Sequence, residues 1–382
     1  MLICGGSSTC RALRYSASKR SPPPTQRRDG RIRHMRATIF EEPGKVSVQD
    51  RPTPEAGPGE VRLRVAASSL CASDVRVYRG EKYARAGVIP GHEIAGVVDE
   101  VGEGVTGVDE GDRVIVCPIV SCGHCRFCQT GKRNRCTSRQ TLGYDIDGGF
   151  AESVLVPAAI VGLGQVFRVP DDLPLDIAAL TEPAACVTAS LELCGTGIGE
   201  SLFIIGAGPM GLMHVIMARA AGAAPIIVSE PVEERRETAR RWGADIVLDP
   251  ARDDVTAAVK DATFGAGADG VVVSVGIPQL VEPALAAVRP QGIVNLFAGF
   301  PPGNPVPFDP NLVHYGEVVL TGSQNATSDQ YRRTVAMIGH VPHIDEVVTN
   351  RYLIEDAPQA YASRLELNGL KSLVEFPGVD RR

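Results

Sequence analysis

The chain has 382 residues, 44% hydrophobic and 22% charged, with ten cysteines and a formal net charge of −6 at pH 7. That length buries a substantial core and predicts two domains, which excludes a short disulfide scaffold. The acidic balance excludes general binding to the nucleic-acid backbone, which needs a cationic surface to displace counterions.

Residues 1–34 differ from everything after them. They hold eight Lys or Arg and one acid, Asp29, a net +7, so the remainder carries −13. With Ser16, Ser18, Ser21 and Pro22-Pro23-Pro24 the segment reads as a disordered leader. Two origins fit: an Arg- and Ser-rich transit peptide, or a mis-assigned start upstream of Met35. Leu2-Ile3-Cys4 is too short an apolar stretch for a secretory signal. The cysteines outside the cluster described next read as free thiols, which places the chain in a reducing compartment, the cytoplasm.

Over 35–180, short β-branched runs broken by Gly, Pro and Asp, such as VRLRVAASSL, IAGVVDEVG and RVIVCP, predict a β-rich domain. Within it Cys122, Cys125, Cys128 and Cys136 are spaced Cys-x2-Cys-x2-Cys-x7-Cys in the basic loop CGHCRFCQTGKRNRC. Four thiolates at such spacing read as one structural zinc site supplied by a single loop. Disulfides or an iron–sulfur cluster are the alternatives. The same segment holds Cys71 in SSLCASDV and His92-Glu93 in IPGHEIAG, residues that mean little apart.

Over 181–322 apolar strands alternate with Ala- and Arg-rich helical stretches, and SLFIIGAG, APIIVSE, DIVLD, GVVVSVG and GIVNLFAG read as a parallel sheet. Residues 201–228 are nearly uncharged, but Gly206, Gly208, Pro209 and Gly211 interrupt the run and Arg219 lies inside it, so no membrane span is predicted. Gly206, Gly208 and Gly211 form G-x-G-x-x-G, with Pro209 and Met210 inside it, after a predicted strand and opening a helix. That context makes a dinucleotide site: a tight turn, close approach of a pyrophosphate, and a helix N-terminus facing it.

Glu230, 19 residues beyond Gly211, stands at the end of the next strand. A carboxylate there binds ribose hydroxyls and repels a 2′-phosphate, which favours NAD over NADP, although Arg235 and Arg236 are near enough to receive such a phosphate. Gly276 and Gly299 end later strands where nicotinamide is expected. Residues 323–382 hold two helical stretches and a last strand, KSLVEF, and are predicted to return to the first domain.

Taken in order, Cys71-Ala72-Ser73-Asp74, Gly91-His92-Glu93, the four-cysteine loop and the glycine turn resemble the zinc-containing medium-chain alcohol dehydrogenase family, in its polyol (sorbitol)/threonine dehydrogenase-like branch. The likeness runs from about Met35 to Pro377. It implies an α/β fold, a β-rich GroES-like catalytic domain plus a Rossmann domain with a doubly wound parallel sheet, and two zinc ions per chain. Cys71 and His92 match the catalytic zinc ligands, with Glu93 as a ligand or exchanging with water. Glu182, in LTEPAACV, stands where simple alcohol dehydrogenases carry a third cysteine ligand and the polyol branch carries glutamate. Cys186 is the alternative, one helical turn on.

Ser73 matches the hydroxyl that passes the alcohol proton outward, and Asp74 reads as a structural partner for the loop. Arg76 occupies the place of the relay histidine of many relatives, and a permanently charged guanidinium is no base. The proton then leaves through water and cofactor hydroxyls, or Arg76 contacts substrate or cofactor phosphate. Gln324 and Asn325 stand near where sorbitol- and threonine-type relatives carry arginine, which suits a hydroxyl-rich substrate. Tyr78 and Phe150 are either cleft liners or core.

The expected activity is NAD- and zinc-dependent oxidation of a secondary hydroxyl of a polyol, sugar or cyclitol. An amino alcohol, threonine or an aminocyclitol, is the alternative. The expected partners are a small hydroxylated substrate and copies of the chain in a dimer or tetramer, with no nucleic acid and no membrane.

Overall fold

The computed structural model describes residues 33–306 and 308–379. The leader, apart from its last two residues, lies outside the described residues.

Strands β1 (His34–Glu42) and β2 (Lys45–Pro52) form an antiparallel hairpin. There follow β3 (Val61–Ser69), β4 (Glu93–Val101), β5 (Arg113–Val116), β6 (Ile119–Val120), β7 (Gln140–Thr141), β8 (Ser153–Val156) and β9 (Val166–Arg168). The second part of the chain supplies β10 (Leu202–Ile205), β11 (Ile226–Ser229), β12 (Ile246–Leu248), β13 (Ala268–Val273), β14 (Val288–Leu296) and β15 (Val319–Gly322). Last come β16 (Val348–Leu353) and β17 (Lys371–Glu375).

The first sheet runs β16-β17-β3-β4-β5-β9, with β8 also on β3, so the C-terminal strand pairs with one laid down about 300 residues earlier. The second sheet is parallel throughout, in the order β12-β11-β10-β13-β14-β15. Every residue of β10 and β11 is buried, because helices cover both faces of such a sheet. The order reverses between β10 and β13, which opens a crevice at their carboxyl ends. Residues 201–228 become β10, the glycine turn, helix Pro209–Ala220 and β11. No helix among the described residues is long and apolar enough to cross a membrane.

Helix Thr181–Leu193 joins the two sheets. Nine of its residues are buried, on all sides, and the small Ala184, Ala185 and Ala189 let neighbours approach closely. One apolar cluster runs from Ala66 and Ala95 in the first sheet through Val187 to Leu202 and Met213 in the second. The polar head of this helix, Glu182, is thereby fixed at the seam between the two sheets.

Candidate active site and metal centres

Ser69 of β3 pairs with Glu93 of β4, and this register sets Cys71, two residues beyond, beside His92 and Glu93. Cys71 caps helix Ala72–Tyr78, and Asp74, three residues on, accepts the Cys71 amide at 2.9 Å. The other Asp74 oxygen stands 3.4 Å from Nδ1 of His92, and neither atom has a hydrogen-bond partner. Burial opposes a charge on His92, but Asp74 and Cys71 outweigh it and raise its pKa well above the usual value. A carboxylate behind Nδ1 leaves Nε2 free to act as a ligand atom.

Ligand atoms of Cys71, His92 and Glu93 lie within 4.8 Å of one another. Sulfur, imidazole and carboxylate from three residues make the donor set of a catalytic zinc with an open position. Glu93 is fully buried, and both its oxygens accept from Nζ of Lys371 at 2.7 Å. Glu182 is not one of the three. Its Oε1 accepts from Tyr331 at 3.3 Å and from the Cys186 thiol at 3.7 Å. Burial raises the Glu182 pKa, with His92 lowering it and Glu93 raising it, so the carboxylate stands in the field of the trio. Burial likewise pushes the Cys186 thiol well up, which keeps it a thiol facing Glu182.

Ser73 Oγ donates to Cys71 Sγ at 3.1 Å and lies 2.6 Å from the Tyr144 hydroxyl. The Tyr144 ring also packs on His92, with centroids 5.1 Å apart. Phe150 is wholly buried core, and Tyr78 packs on Tyr361 at 5.5 Å.

The second cluster is self-contained. Sulfurs of Cys122, Cys125, Cys128 and Cys136 lie within 4.8 Å, with contacts of 3.5 and 3.9 Å measured from Cys128 to Cys125 and Cys122. A tetrahedron with Zn–S bonds of about 2.3 Å has edges of about 3.8 Å, whereas a disulfide needs about 2.0 Å. The amides of Cys125 and Ser138 point at the sulfurs of Cys122 and Cys136, as donors toward thiolates do. The residues fit zinc, and the disulfide alternative is removed.

The glycine turn sits at the crevice. Gly206 has φ +96°, and a Cβ on Gly211 would meet the Gly206 carbonyl oxygen at 1.9 Å. A Cβ on Gly208 would meet nothing within 4 Å, an empty cradle at the N-terminus of helix Pro209–Ala220. Pro209 gives the first helical turn its fixed φ, so the free amides begin at Met210. Open space facing free helix amides is the setting that suits a phosphate.

Glu230 is 97% buried, with its oxygens taking the amides of Ala207 at 2.7 Å and Val232 at 3.0 Å. Arg236 is turned inward, donating to the Glu230 carbonyl at 2.7 Å and pairing with Asp249. Arg235 forms no ion pair among the described residues and shares its field with Arg364, whose buried Nε has no partner. A Cβ on Gly276 would meet the Gly299 carbonyl at 2.3 Å, so these two glycines adjoin, and Arg76 reaches across to within 3.2 Å of a Cβ on Gly299.

Family comparison agrees with this geometry. Residues 57–170 match the model described as alcohol dehydrogenase GroES-like domain, and residues 209–339 match zinc-binding dehydrogenase. The chain belongs to the zinc-containing medium-chain alcohol dehydrogenase family, in its polyol and threonine dehydrogenase-like branch. L-threonine 3-dehydrogenase of Pyrococcus furiosus is 36% identical over 305 residues, 78% of this chain and 86% of that protein. A putative zinc-binding dehydrogenase from Sinorhizobium meliloti 1021, bound to NADP, superposes with TM-score 0.84 at 31% identity over 90% of this chain and 99% of that one. The rspB alcohol dehydrogenase of Escherichia coli CFT073, complexed with NADH, gives 0.82 at 27% over 90% and 99%.

The site of this dehydrogenase also contains residues the sequence did not flag: Lys371, Tyr144, Tyr331, Lys82 and Arg364. Lys371 opens an apolar strand, and a lone lysine there was its sole signal. The others come from remote loops and helices. Gln324 is held on the cysteine lobe, its Oε1 accepting from Arg135 at 3.0 Å and its carbonyl from Asn134 at 3.3 Å. That engagement occupies one of the two amides on which a hydroxyl-rich substrate was expected.

Proposed function

We propose that the protein is an NAD-dependent dehydrogenase that oxidises a secondary hydroxyl of a small polar substrate to a ketone. The observation that carries this is the convergence of Cys71, His92 and Glu93 beside Ser73, in a chain whose glycine turn leaves open space at Gly208 before a helix N-terminus. Cys71 and His92 would hold a zinc ion there, with Glu93 and Glu182 as the further carboxylates available to it, and the lobe cysteines would hold a second. When bound, the catalytic ion supplies a Lewis acid that makes the alcohol more acidic. Ser73 takes the hydroxyl proton and passes it toward Tyr144 and solvent. Gly276 and Gly299 would hold the nicotinamide, which when bound would supply the acceptor for the hydride of the C–H bond, the products being ketone, NADH and a proton. Arg235 forms no ion pair among the described residues and would be free to meet a dinucleotide phosphate, while the negative charge of Glu230, though its oxygens hold two amides, would favour NAD by repelling a 2′-phosphate.

For the substrate, an amino alcohol of threonine type is favoured over a polyol, sugar or cyclitol, because Gln324 is engaged and the relatives include L-threonine 3-dehydrogenases. The test is a panel of polyols, sugars, cyclitols and amino alcohols scored by NADH formation, with NADP alongside and zinc counted per chain. Two zincs and turnover of a secondary alcohol are expected. No turnover across the panel, or a single zinc in intact protein, sinks the assignment.

A further inference from the structure

Three cations approach Cys71, and two have evident partners or neighbours. Lys371 is bound by Glu93. Arg364 donates to the Gly369 carbonyl at 3.2 Å and shares its field with Arg235. Lys82 is different. It lies in the segment that follows helix Ala72–Tyr78, and its ammonium sits 3.6 Å above the centroid of the Tyr144 ring. Among the described residues it forms no ion pair and no hydrogen bond with a carboxylate, although the residue as a whole reaches solvent. The hydroxyl of that ring is the one 2.6 Å from Ser73.

We propose that Lys82 selects the substrate: its ammonium, held over the Tyr144 ring beside Ser73, receives a carboxylate of the alcohol, so that hydroxy acids are preferred to neutral polyols. This rests on the dehydrogenase reading above and names the residue that sets its specificity. The position supports it. Tyr144 touches both His92 and Ser73, so a group bound on its face is within the span of a small substrate whose hydroxyl is at Ser73. The charge supports it too. Desolvation lowers the Lys82 pKa while Cys71, Asp74 and Glu182 oppose it, and no carboxylate among the described residues pairs with the ammonium directly. The cation–π contact uses none of the ammonium's N–H donors, so a carboxylate can take them in exchange for water. Arg139 stands in the same field and adds to the positive potential on this side of the site.

The experiment compares matched substrates in the zinc- and NAD-loaded enzyme: L-threonine and its amide, 3-hydroxybutyrate and its amide, and sorbitol and sorbitol 6-phosphate. The wild type is expected to prefer each acid over its amide in kcat/KM by on the order of 10- to 100-fold. Lys82→Met should collapse that ratio, chiefly through KM of the acid, and Lys82→Arg should restore part of it. The acid preference of the wild type should also weaken with added salt. Unchanged near-ultraviolet circular dichroism in Lys82→Met excludes a packing defect at Tyr144. Equal use of acid and amide, a ratio untouched by Lys82→Met, or preference only for the phosphate ester would each overturn the proposal. Turnover of neutral alcohols would then still uphold the dehydrogenase reading, whereas no turnover of any member removes both.

Discussion

Lys371 Nζ lies 2.7 Å from both carboxylate oxygens of Glu93, at a point where the two residues are 4% and 0% exposed. A third donor goes to the Leu70 carbonyl at 3.2 Å. The pair ties the last strand to the start of β4, and it holds the carboxylate next to Cys71 and His92 in one orientation. Burial opposes the lysine charge, but the Glu93 carboxylate outweighs it and raises the pKa of Lys371. Removing one partner leaves the other charge buried and uncompensated, at a cost of about 3–5 kcal/mol. Lys371→Met is therefore expected to lose about that much in urea unfolding, and Lys371→Met with Glu93→Gln to recover part of it. A single variant as stable as wild type would contradict the pairing.

The glycine turn separates steric need from ligand need. Gly211→Ala forces a Cβ to 1.9 Å from the Gly206 oxygen, a backbone clash, so the variant should be destabilised even without cofactor. Gly208→Ala puts a methyl group into open space, so its unfolding free energy should stay within about 0.5 kcal/mol of wild type. Its affinity for NADH, read by fluorescence, should fall by about tenfold or more, because the methyl occupies the place of the pyrophosphate. Normal NADH binding by Gly208→Ala would disprove that use of the cradle.

The parallel sheet, the glycine turn and the four-cysteine loop were legible because each depends on local pattern. β10 and β11 announce a covered parallel sheet by unbroken apolar runs, and the lobe cysteines sit within 15 residues of one another. Cys71 and His92 were legible as a pair only through family order, since what joins them is the β3–β4 register. Lys371 and Lys82 escaped notice for a physical reason. A lysine in sequence looks solvated, and what draws one into a site is a carboxylate or an aromatic face 278 or 62 residues away. Glu230 was read as facing ribose, yet its oxygens already hold two backbone amides, which no periodicity reveals.

Among the described residues Ser73 is the one hydroxyl bonded to the Cys71 sulfur, and it continues to Tyr144 rather than to a base at position 76. Arg76 faces Glu81 and Gly299 instead. Ser73→Ala should lower kcat by on the order of 100-fold or more, with a smaller change in KM. Arg76→His should leave the shape of the pH–rate profile as it is. A new limb near the histidine pKa would place position 76 in the proton path after all.

Acid stability should depend on Asp269. Its Oδ2 accepts from the Ser201 amide at 2.8 Å and hydroxyl at 2.5 Å, and its Oδ1 from Arg289 at 2.5 Å. Burial raises its pKa, but Ser201 and Arg289 outweigh this and hold it at about 2 against an ordinary 3.8. A depressed carboxyl stabilises the fold above its unfolded pKa and loses that contribution as pH falls through the folded one. The difference in unfolding free energy between wild type and Asp269→Asn should therefore be full at pH 6 and shrink as pH falls from about 4 toward about 2. A difference independent of pH would assign its effect to packing alone.

The cysteine lobe should act on the substrate side of the cleft through Gln324. Cys122, Cys125, Cys128 and Cys136 close a loop whose Asn134 and Arg135 hold the carbonyl and the amide of Gln324, just after β15. Cys128→Ser removes a buried thiolate from that cluster and should release one zinc per chain while the ion at Cys71 and His92 is kept. Hydrogen exchange should then rise in residues 122–138 and, through the lost anchor, in residues 323–326, with little change in β10 or β11. Arg135→Ala should loosen 323–326 without loss of either zinc, which separates the anchor from the metal. Unaltered exchange at 323–326 in both variants would show that the loop after β15 is held by its own sheet and not by the lobe.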